Sequence, residues 1–458
     1  MSGLKAGFAR VDVTPSMGYP IEGYYHTRYA DGVLDNLYVT AVAFDDGEKK
    51  AVVMSLDAIG MHQRWVDPIR EMVAKKIGTE TEGIYIACTH THLGLGFSRL
   101  ISDNEDGDFA RKTYEIVKDK ICDAAILAVN DLKPAKLYYT RGVAEDVSFI
   151  RRFRMQDGTA CTNPGDNAPF VIEPLDKVDD IVQHLIIKRE GGYDIGIVNF
   201  QVHADVIGGS TLSADFPHFV RDTYEKILDN TRCMYLNGAE GDSNHTDIRL
   251  PNGHIMKKSY ERARYMGRKI AMAAIADYEM AIPLEGDKIK FGQKNIVIKL
   301  NKGTDKEVEA ALDMKKVYAE KGDQAAIEYV GKKYNLPLVG KNPWNKPAGD
   351  EFRRLNRIAA LVNEPDEAEV HLTAVSVGDV VFAGLPGEPF TEVGRQIKEQ
   401  SKFALTIPTC CSNGYEGYYP TEKAFSEGGY EAITARYSCG TAEKLIETSV
   451  ELVNSFKK

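Results

Sequence analysis

The chain has 458 residues, with 57 Lys and Arg against 67 Asp and Glu, so that its formal net charge is −10. A composition of 43% hydrophobic and 27% charged residues is typical of a globular protein with a sizeable core. The acidic balance argues against the basic surfaces that nucleic acids and anionic membranes attract. We therefore expect a small-molecule substrate and no nucleic-acid partner.

The sequence shows neither the pattern of a secretory signal nor that of a membrane-spanning helix. The first residues contain no apolar segment of the kind that a secretory signal needs. Every apolar run is far shorter than the roughly 18 residues of a membrane-spanning helix. The 7 cysteines are odd in number and irregularly spaced, which favours a reduced chain. We predict a cytoplasmic protein without a transmembrane segment, and the sequence indicates no oligomeric state.

The first half of the chain alternates between strand-like and helix-like patterns. Alternating or β-rich runs predict strands, and apolar residues three and four positions apart predict helices. The predicted strands are 6–13, 37–44, 51–56, 83–89, 181–187 and 194–202. The predicted helices are 64–77, 109–132, 217–228 and 257–280.

The second half begins with a change of composition near residue 303. The segments 305–334 and 349–363 are charged, rich in alanine and helical in pattern, so we interpret residues 303–365, roughly, as a helical insertion. Strand patterns return at 369–377 and 380–384, and a last helix is predicted over 441–456. Strands spread along the whole length, with helices between them, predict one α/β (α+β) domain spanning residues 1–458.

Two predicted strands end in histidines. The sequence THTH at 89–92 follows the strand 83–89, and side chains two apart in an extended segment point the same way, so His90 and His92 can face one metal site. The alternative is a pair of surface histidines. His203 ends the strand 194–202 in the same manner, although a structural role in the core or a loop is more common for a single histidine. Asp215, at the start of the next helix, fits a helix cap.

A carboxylate follows another buried strand. The run 380–384 leads into LPGEP, which places Glu388 just before a helix. Such a carboxylate can be a metal ligand, a general base or a helix-start acid. Two or three imidazoles with one carboxylate fit a catalytic zinc site, which takes about three protein ligands and keeps a position for water. The turn 238–244 lacks the G-x-S-x-G pattern of a serine nucleophile.

Six motifs follow one another along the chain: GFARVDVTP, CTHTHLGLG, FQVHADV with SADFP, NGAEGD, LPGEP and NGYEGYYPTEKAFSEGGYE. In this order they resemble the catalytic domain of the neutral ceramidase family, the neutral/alkaline non-lysosomal type. The last motif is the most specific. The resemblance implies a zinc amidohydrolase with one zinc ion per chain, and a multilayer α/β sandwich with a central metal pocket.

The resemblance also implies roles for individual residues. The implied zinc ligands are His90, His203, Glu388 and Tyr418. His92 and Tyr430 would contact the scissile carbonyl and stabilise its developing negative charge. Arg151 resembles the substrate-contacting arginine of the family, and His92 and Asp242 are candidates for protonating the leaving group.

One loop departs from the family pattern. Without a gap, Asn244 takes the position of the family's serine, Ser243 takes that of an aliphatic residue, and His245 stands where the family has a proline. Ceramide itself is therefore not singled out as the substrate. We expect cleavage of an amide bond by metal-activated water. Hydrolysis of an ester or lactone at the same site, or a non-catalytic ligand-binding relative, are the alternatives. A metallophosphoesterase is disfavoured, because it usually needs several carboxylates for two metals.

Overall fold

The structure, a computed structural model, describes residues 3–24, 26–165, 168, 170–248, 258–335 and 347–457. The long strands are β1 (Lys5–Asp12), β2 (Tyr38–Asp45), β3 (Lys50–Leu56), β4 (Ile84–Cys88), β5 (Lys133–Val143), β6 (Ile181–Arg189), β7 (Asp194–Phe200), β8 (Thr231–Asn237), β9 (Ile289–Lys299), β10 (Glu367–Val377), β11 (Val380–Gly384) and β12 (Leu405–Thr409). The α-helices are α1 (Gln63–Ile77), α2 (Glu105–Asn130), α3 (Phe216–Ile227), α4 (Tyr260–Ile275), α5 (Asp305–Lys321), α6 (Asp323–Tyr334), α7 (Pro347–Leu361), α8 (Thr391–Gln400), α9 (Glu422–Glu427), α10 (Tyr430–Thr434) and α11 (Thr441–Ser455).

These strands form two sheets. The large sheet has the order β8-β7-β6-β5-β1-β2-β3-β4, and the small sheet has the order β9-β10-β11-β12. Most neighbours are antiparallel, but β3 and β4, β7 and β8, and β11 and β12 run parallel. The parallel pairs matter for function, because polar residues that follow parallel strands meet at one end of a sheet.

The large sheet is bent so that its two edges meet. Ser55 Oγ on β3 donates a hydrogen bond of 2.6 Å to the carbonyl of Tyr235 on β8. Apolar side chains from both arms of this sheet and from the small sheet, such as Phe44, Leu236 and Phe382, share one core. Helices α1 and α2 cover one arm, α3 and α4 cover the other, and α8 and α11 cover the small sheet. This layering confirms the predicted multilayer α/β sandwich.

Most predicted elements are present with ends that differ by a few residues, and two differ in extent. The helix expected over 257–280 ends at Ile275 and is followed by a 3₁₀ turn, Tyr278–Met280. The helix expected over 305–334 is divided into α5 and α6 at Gly322. The φ of Gly322 is 80°, a left-handed conformation that glycine adopts readily and that interrupts helical geometry.

The helical insertion consists of α5, α6 and α7, between β9 and β10. It has an apolar cluster of its own that includes Met314, Ile327 and Leu355. The exposed start of α5 has a capping box, in which Thr304 and Glu307 exchange side-chain and backbone hydrogen bonds. Helix α7 packs beside α10, which brings the insertion next to residues 413–431, the tyrosine-rich motif. Within the described residues, we find no helix with the length and apolar character needed to cross a membrane.

A buried ion pair fixes the end of β3, and its loss should be costly. Arg221 on α3 donates two hydrogen bonds, of 2.9 and 2.8 Å, to the carboxylate of Asp57. Asp57 also accepts from the Tyr38 amide and from Thr89 Oγ1. We expect Asp57→Ala to lower the free energy of unfolding by about 3–5 kcal/mol, because it leaves the Arg221 charge buried without a partner. Urea denaturation measures this loss.

The control for this prediction is Asp222→Ala on the same helix. Asp222 pairs with Lys226 at the surface, where the Lys226 side chain is 72% exposed. We expect this change to lower the free energy of unfolding by less than about 1 kcal/mol. Equal losses in the two variants would contradict the role given to the Asp57–Arg221 pair.

Candidate metal centre

The ends of five strands meet at the middle of the sandwich, where β4, β7, β8, β11 and β12 deliver polar residues. Asn237, the last residue of β8, joins three of the loops that follow. Its side-chain amide donates to the carbonyls of Thr89 and Val202, at 3.3 and 3.2 Å. The backbone carbonyl of Asn237 accepts from the Cys410 amide at 3.1 Å. The segments that contain the predicted histidines are therefore tied to one buried amide.

Three buried side chains, those of His90, His203 and Glu388, converge there and form one cluster. His90 Nε2 lies 3.4 Å from Glu388 Oε2, and His203 Nε2 lies 3.4 Å from the same oxygen. A tetrahedral zinc ion with bonds of about 2.0–2.1 Å would hold its ligand atoms about 3.3–3.4 Å apart. The observed separations therefore fit a bound zinc ion, and they exceed the usual length of a hydrogen bond between charged groups.

The hydrogen bonds of the two Nδ1 atoms indicate that the Nε2 atoms of His90 and His203 are the ones available to bind a cation. His90 Nδ1 lies 2.6 Å from the Ile59 carbonyl, which can only accept, so Nδ1 carries the proton. His203 Nδ1 lies 3.0 Å from Glu240 Oε2 and 3.3 Å from the Glu240 carbonyl, both of them acceptors. When each ring is neutral, its Nε2 therefore presents a lone pair toward the Glu388 oxygen. Three acceptors that face one another are stable only with a cation or protons between them.

The charges of the cluster lead to the same conclusion. Burial opposes the charged form of His90, but Glu388 and Glu240 outweigh it and raise the pKa of His90 to about 10. Burial likewise opposes ionisation of Glu388, yet His90 and His203 hold the pKa of this carboxyl well below its usual range. The protein thus keeps the Glu388 carboxylate ionised in its interior, balanced by a proton on His90 that a bound cation can replace.

His92 lies beside this cluster with a neutral ring. Its ring centroid is 5.0 Å from that of His90 and 5.4 Å from that of His203. Both of its ring nitrogens are buried, and neither has a hydrogen-bond partner among the described residues. Burial lowers the pKa of His92 to about 3, so the ring stays uncharged and offers one N–H.

The two histidines do face one site as predicted, but not by strand alternation. Strand β4 ends at Cys88, and His90 has a φ of 61°, in the left-handed region. Non-glycine residues adopt this conformation at an energetic cost, and they do so mainly where the surroundings enforce it. Here the Ala58 carbonyl accepts from the His90 amide at 3.0 Å and holds the turn.

The tyrosine motif forms another wall of the site. Glu388 and Tyr418 are paired residues of two short parallel strands, which brings the predicted ligand Tyr418 next to the cluster. The Tyr430 ring lies 5.7 Å from the Tyr418 ring. Arg151 lies over the Tyr418 ring at 5.5 Å and donates to Glu431 Oε1 at 2.7 Å. All three predicted residues thus belong to one group of contacts next to Glu388.

Asp242 lies at the start of α8, where one of its carboxylate oxygens binds Thr391. Its Oδ1 accepts from the amide and the hydroxyl of Thr391, at 2.8 and 2.6 Å, at the start of α8. Burial raises the pKa of Asp242 to about 6. Its Oδ1 therefore anchors the helix start, and a role in protonating the leaving group stays a prediction for Asp242 as it does for His92, which lies beside the cluster. Asp215 caps α3, as predicted, by accepting from the Phe216 amide.

Three residues around the cluster were missed by sequence reasoning. Glu240 contacts His203, Tyr415 donates a hydrogen bond of 2.7 Å to Glu388 Oε1, and Cys411 Sγ lies 3.5 Å from His90 Nδ1. Glu240 and Tyr415 belong to motifs named above, and Cys411 lies two residues before the last of these motifs, but only the folded structure shows which residues they contact. Glu240, Cys410 and Cys411 form a neighbouring group, although burial raises the pKa of the Cys411 thiol to about 12 and so disfavours the thiolate that binds metals.

Two cavities border the cluster. A cavity of about 750 Å³ extends from Glu388 and the tyrosine motif to the helical insertion. A smaller cavity of about 240 Å³ lies on the His203 side and reaches Arg151, Asn244 and His245. The cluster is therefore accessible to a small molecule from at least one side.

Glu240 should tune the affinity of the cluster for metal. Its carboxylate lies 3.0 Å from the outer nitrogen of His203, and loss of such an outer partner typically weakens metal binding about 10–100-fold. We expect Glu240→Gln to weaken zinc binding by this factor, measured by competition with a chelator of known affinity.

The matched control is Asp242→Asn, two residues along the same loop. Asp242 is equally buried but binds Thr391 instead of a histidine. We expect its zinc affinity to stay within a few-fold of the parent. Similar losses of affinity in both variants would contradict a specific role for Glu240.

No protein-family model matches the chain. Solved structures similar to it include the neutral ceramidase from Pseudomonas aeruginosa, with a TM-score of 0.75, 16% sequence identity, and coverage of 100% of this chain and 75% of that one. They also include a ceramidase complexed with C2, with a TM-score of 0.72, 15% identity, and coverage of 100% of this chain and 76% of that one. The resemblance first detected in short motifs is thus confirmed at the level of the fold: the chain has the neutral ceramidase fold over its whole length.

Proposed function

We propose that the protein is a metal-dependent hydrolase that cleaves an amide bond, with one zinc ion bound by His90, His203, Glu388 and Tyr418. The observation on which this proposal depends is the meeting of two imidazole Nε2 atoms at one oxygen of Glu388, at 3.4 Å each. A zinc ion supplies a water molecule whose pKa falls to about 7 and a Lewis acid for a carbonyl group.

His92 and Tyr430 have the roles of hydrogen-bond donors to the reacting carbonyl. The His92 ring is neutral and has an N–H without a partner among the described residues, so donation needs no rearrangement of existing bonds. The Tyr430 ring packs against that of Tyr418, beside Glu388. Each donor aimed at a developing oxyanion contributes roughly 2.7–4 kcal/mol in enzymes where it has been measured. In this proposal, the unprotonated ring nitrogen of His92 would take up the proton that the attacking water releases and pass it to the leaving amine.

Arg151 positions the tyrosine wall and borders the substrate space. Its guanidinium, held by Glu431 and by the Gly241 carbonyl, lies over the Tyr418 ring. Burial and the nearby Glu388 raise the pKa of Tyr418, whereas the Arg151 cation opposes them and favours the deprotonated, metal-binding form. Arg151 also lines the smaller cavity, where it can contact the substrate.

An amide is favoured over an ester or a lactone because the solved structures with this fold are named ceramidases. Ceramide itself is not favoured to the same degree. Asn244 and His245 take the positions of the serine and the proline in the family pattern. The Asn244 side-chain amide donates to Asn163 at 2.7 Å.

The test of this proposal combines metal analysis with a substrate panel. We expect protein purified without added metal to contain one zinc ion per chain, and dialysis against a chelator to abolish hydrolysis until zinc is restored. The panel contains N-acyl amides and acyl esters of matched chain length, with amides the better substrates. A metal-free protein, or activity indifferent to the chelator, would refute the proposal.

A further inference from the structure

The larger cavity has two walls of different chemistry. The inner wall consists of the cluster carboxylate and the tyrosine motif: Glu388, Tyr415, Gly417, Tyr418, Tyr430 and Thr434. The outer wall belongs to the helical insertion and consists of Tyr318 on α5 together with Phe352, Arg353, Asn356 and Arg357 on α7. The outer wall is therefore aromatic and cationic. Glu388 is the only carboxylate among the described lining residues, and a metal cation would neutralise it.

Arg357 forms no ion pair with a carboxylate among the residues that the structure describes. Its Nη1 donates to the Ala435 carbonyl at 3.2 Å, while its Nε is buried and has no partner among the described residues. Glu307, whose charge acts on Arg357, is engaged by Arg354 instead. Burial, together with the neighbouring Arg354, lowers the pKa of Arg357 to about 10, so it remains charged at neutral pH. Arg357 is half-buried, and a charge withdrawn from water in this way costs stability unless an anion pairs with it.

A second arginine adds to the positive charge on this wall. Arg353 lies one helical turn before Arg357, and its guanidinium lies over the Tyr430 ring at 5.5 Å. Arg353 is paired with Asp350 at 2.8 Å, which partly balances its charge. Arg357 has no comparable ion pair among the described residues. The Tyr430 ring in turn borders Tyr418 and the cluster. The positive charge and the proposed reaction centre thus belong to one continuous space.

We propose that the substrate is an amide with an anionic group, such as a carboxylate, which Arg357 binds while the amide lies at the cluster. This inference rests on the proposed function. The planar guanidinium binds carboxylates through paired hydrogen bonds, and Asn356 offers an additional donor beside it. The rings of Tyr318 and Phe352 provide apolar surface for the part of the substrate between its two polar ends.

The test compares two amides that differ in charge, N-octanoylglycine and N-octanoylethanolamine. We expect kcat/KM to be at least about 10-fold higher for the glycine conjugate. Arg357→Gln should lower kcat/KM for N-octanoylglycine about 10- to 100-fold, the range for loss of hydrogen bonds to a charged group, and leave the ethanolamine conjugate nearly unchanged. Arg357→Lys keeps the charge and should retain part of the preference.

Arg354→Gln is the matched control, because it removes the same charge from the same helix. Arg354 is bound by Glu351 and Glu307 and does not line the cavity among the described residues. We expect it to keep the preference for the anionic amide. Loss of preference in Arg354→Gln equal to that in Arg357→Gln would overturn the inference, because it would reflect general damage to the insertion.

A binding measurement separates this inference from the proposed function. Calorimetric titration of chelator-treated protein with N-octanoylglycine measures affinity without turnover, and Arg357→Gln should weaken it at least about 10-fold. If neither amide is hydrolysed but this binding depends on Arg357, the proposed hydrolase fails and the anion site stands. If both amides are cleaved without preference, or the anionic amide binds equally to wild type and Arg357→Gln, the anion site is refuted.

Discussion

Glu388→Gln should abolish metal binding and hydrolysis together. The substitution keeps the shape of the side chain and an oxygen that can accept from Tyr415, but it removes the negative charge between His90 and His203. Without this charge, the two imidazoles form a weaker and less selective metal site. We expect activity to fall by more than the roughly 100-fold that loss of an outer partner causes. Zinc content and hydrolysis are both measured after dialysis.

The control for this variant is Glu416→Gln. Glu416 belongs to the same tyrosine-rich motif, but it contacts His62 and Arg436 outside the cluster. We expect it to keep its zinc and most of its activity. If Glu388→Gln binds zinc as tightly as Glu416→Gln does, then Glu388 is not a ligand and the proposed centre is wrong.

Tyr430→Phe should separate catalysis from metal binding. The change removes one hydroxyl and keeps the ring that packs against Tyr418. If this hydroxyl donates to the carbonyl oxygen as negative charge develops, kcat falls about 10²–10³-fold, while KM and zinc content change little. Steady-state kinetics with zinc analysis of the same preparation measures these quantities.

Tyr437→Phe is the corresponding control. Tyr437 stacks on Tyr419 and interacts with Glu416, outside the proposed substrate space. We expect its kcat to stay within a few-fold of the parent. A Tyr430→Phe variant with unchanged kcat, or one that loses its zinc, would show that Tyr430 has a different role from the one proposed.

Much of the secondary structure follows from local pattern, and the exceptions have physical reasons. Strand β5, Lys133–Val143, was missed because its residues are largely half-exposed and include Pro134, so no clear alternation appears. Strands β9 and β12 were missed as well, and both become recognisable only beside β10 and β11, with which they pair. Because both sheets share a core, we infer that the described residues belong to the single domain expected from the sequence.

The site could be predicted residue by residue only where the motif carried it. His90, His203 and Glu388 were expected together and lie together. Glu240 could not be expected beside His203, because their contact depends on the parallel pairing of β7 with β8. The charge of Arg357 on the cavity wall likewise depends on how α7 is oriented against α10, which no local pattern in the insertion specifies.

The central claim is that one metal ion lies between His90, His203 and Glu388. Its most direct test is a crystal structure of the protein as purified, with anomalous scattering recorded on both sides of the zinc absorption edge. We predict a single zinc peak about 2.0–2.2 Å from His90 Nε2, His203 Nε2 and Glu388 Oε2. A well-ordered site without a peak, or a peak at the neighbouring Glu240, Cys410 and Cys411 group, would contradict it.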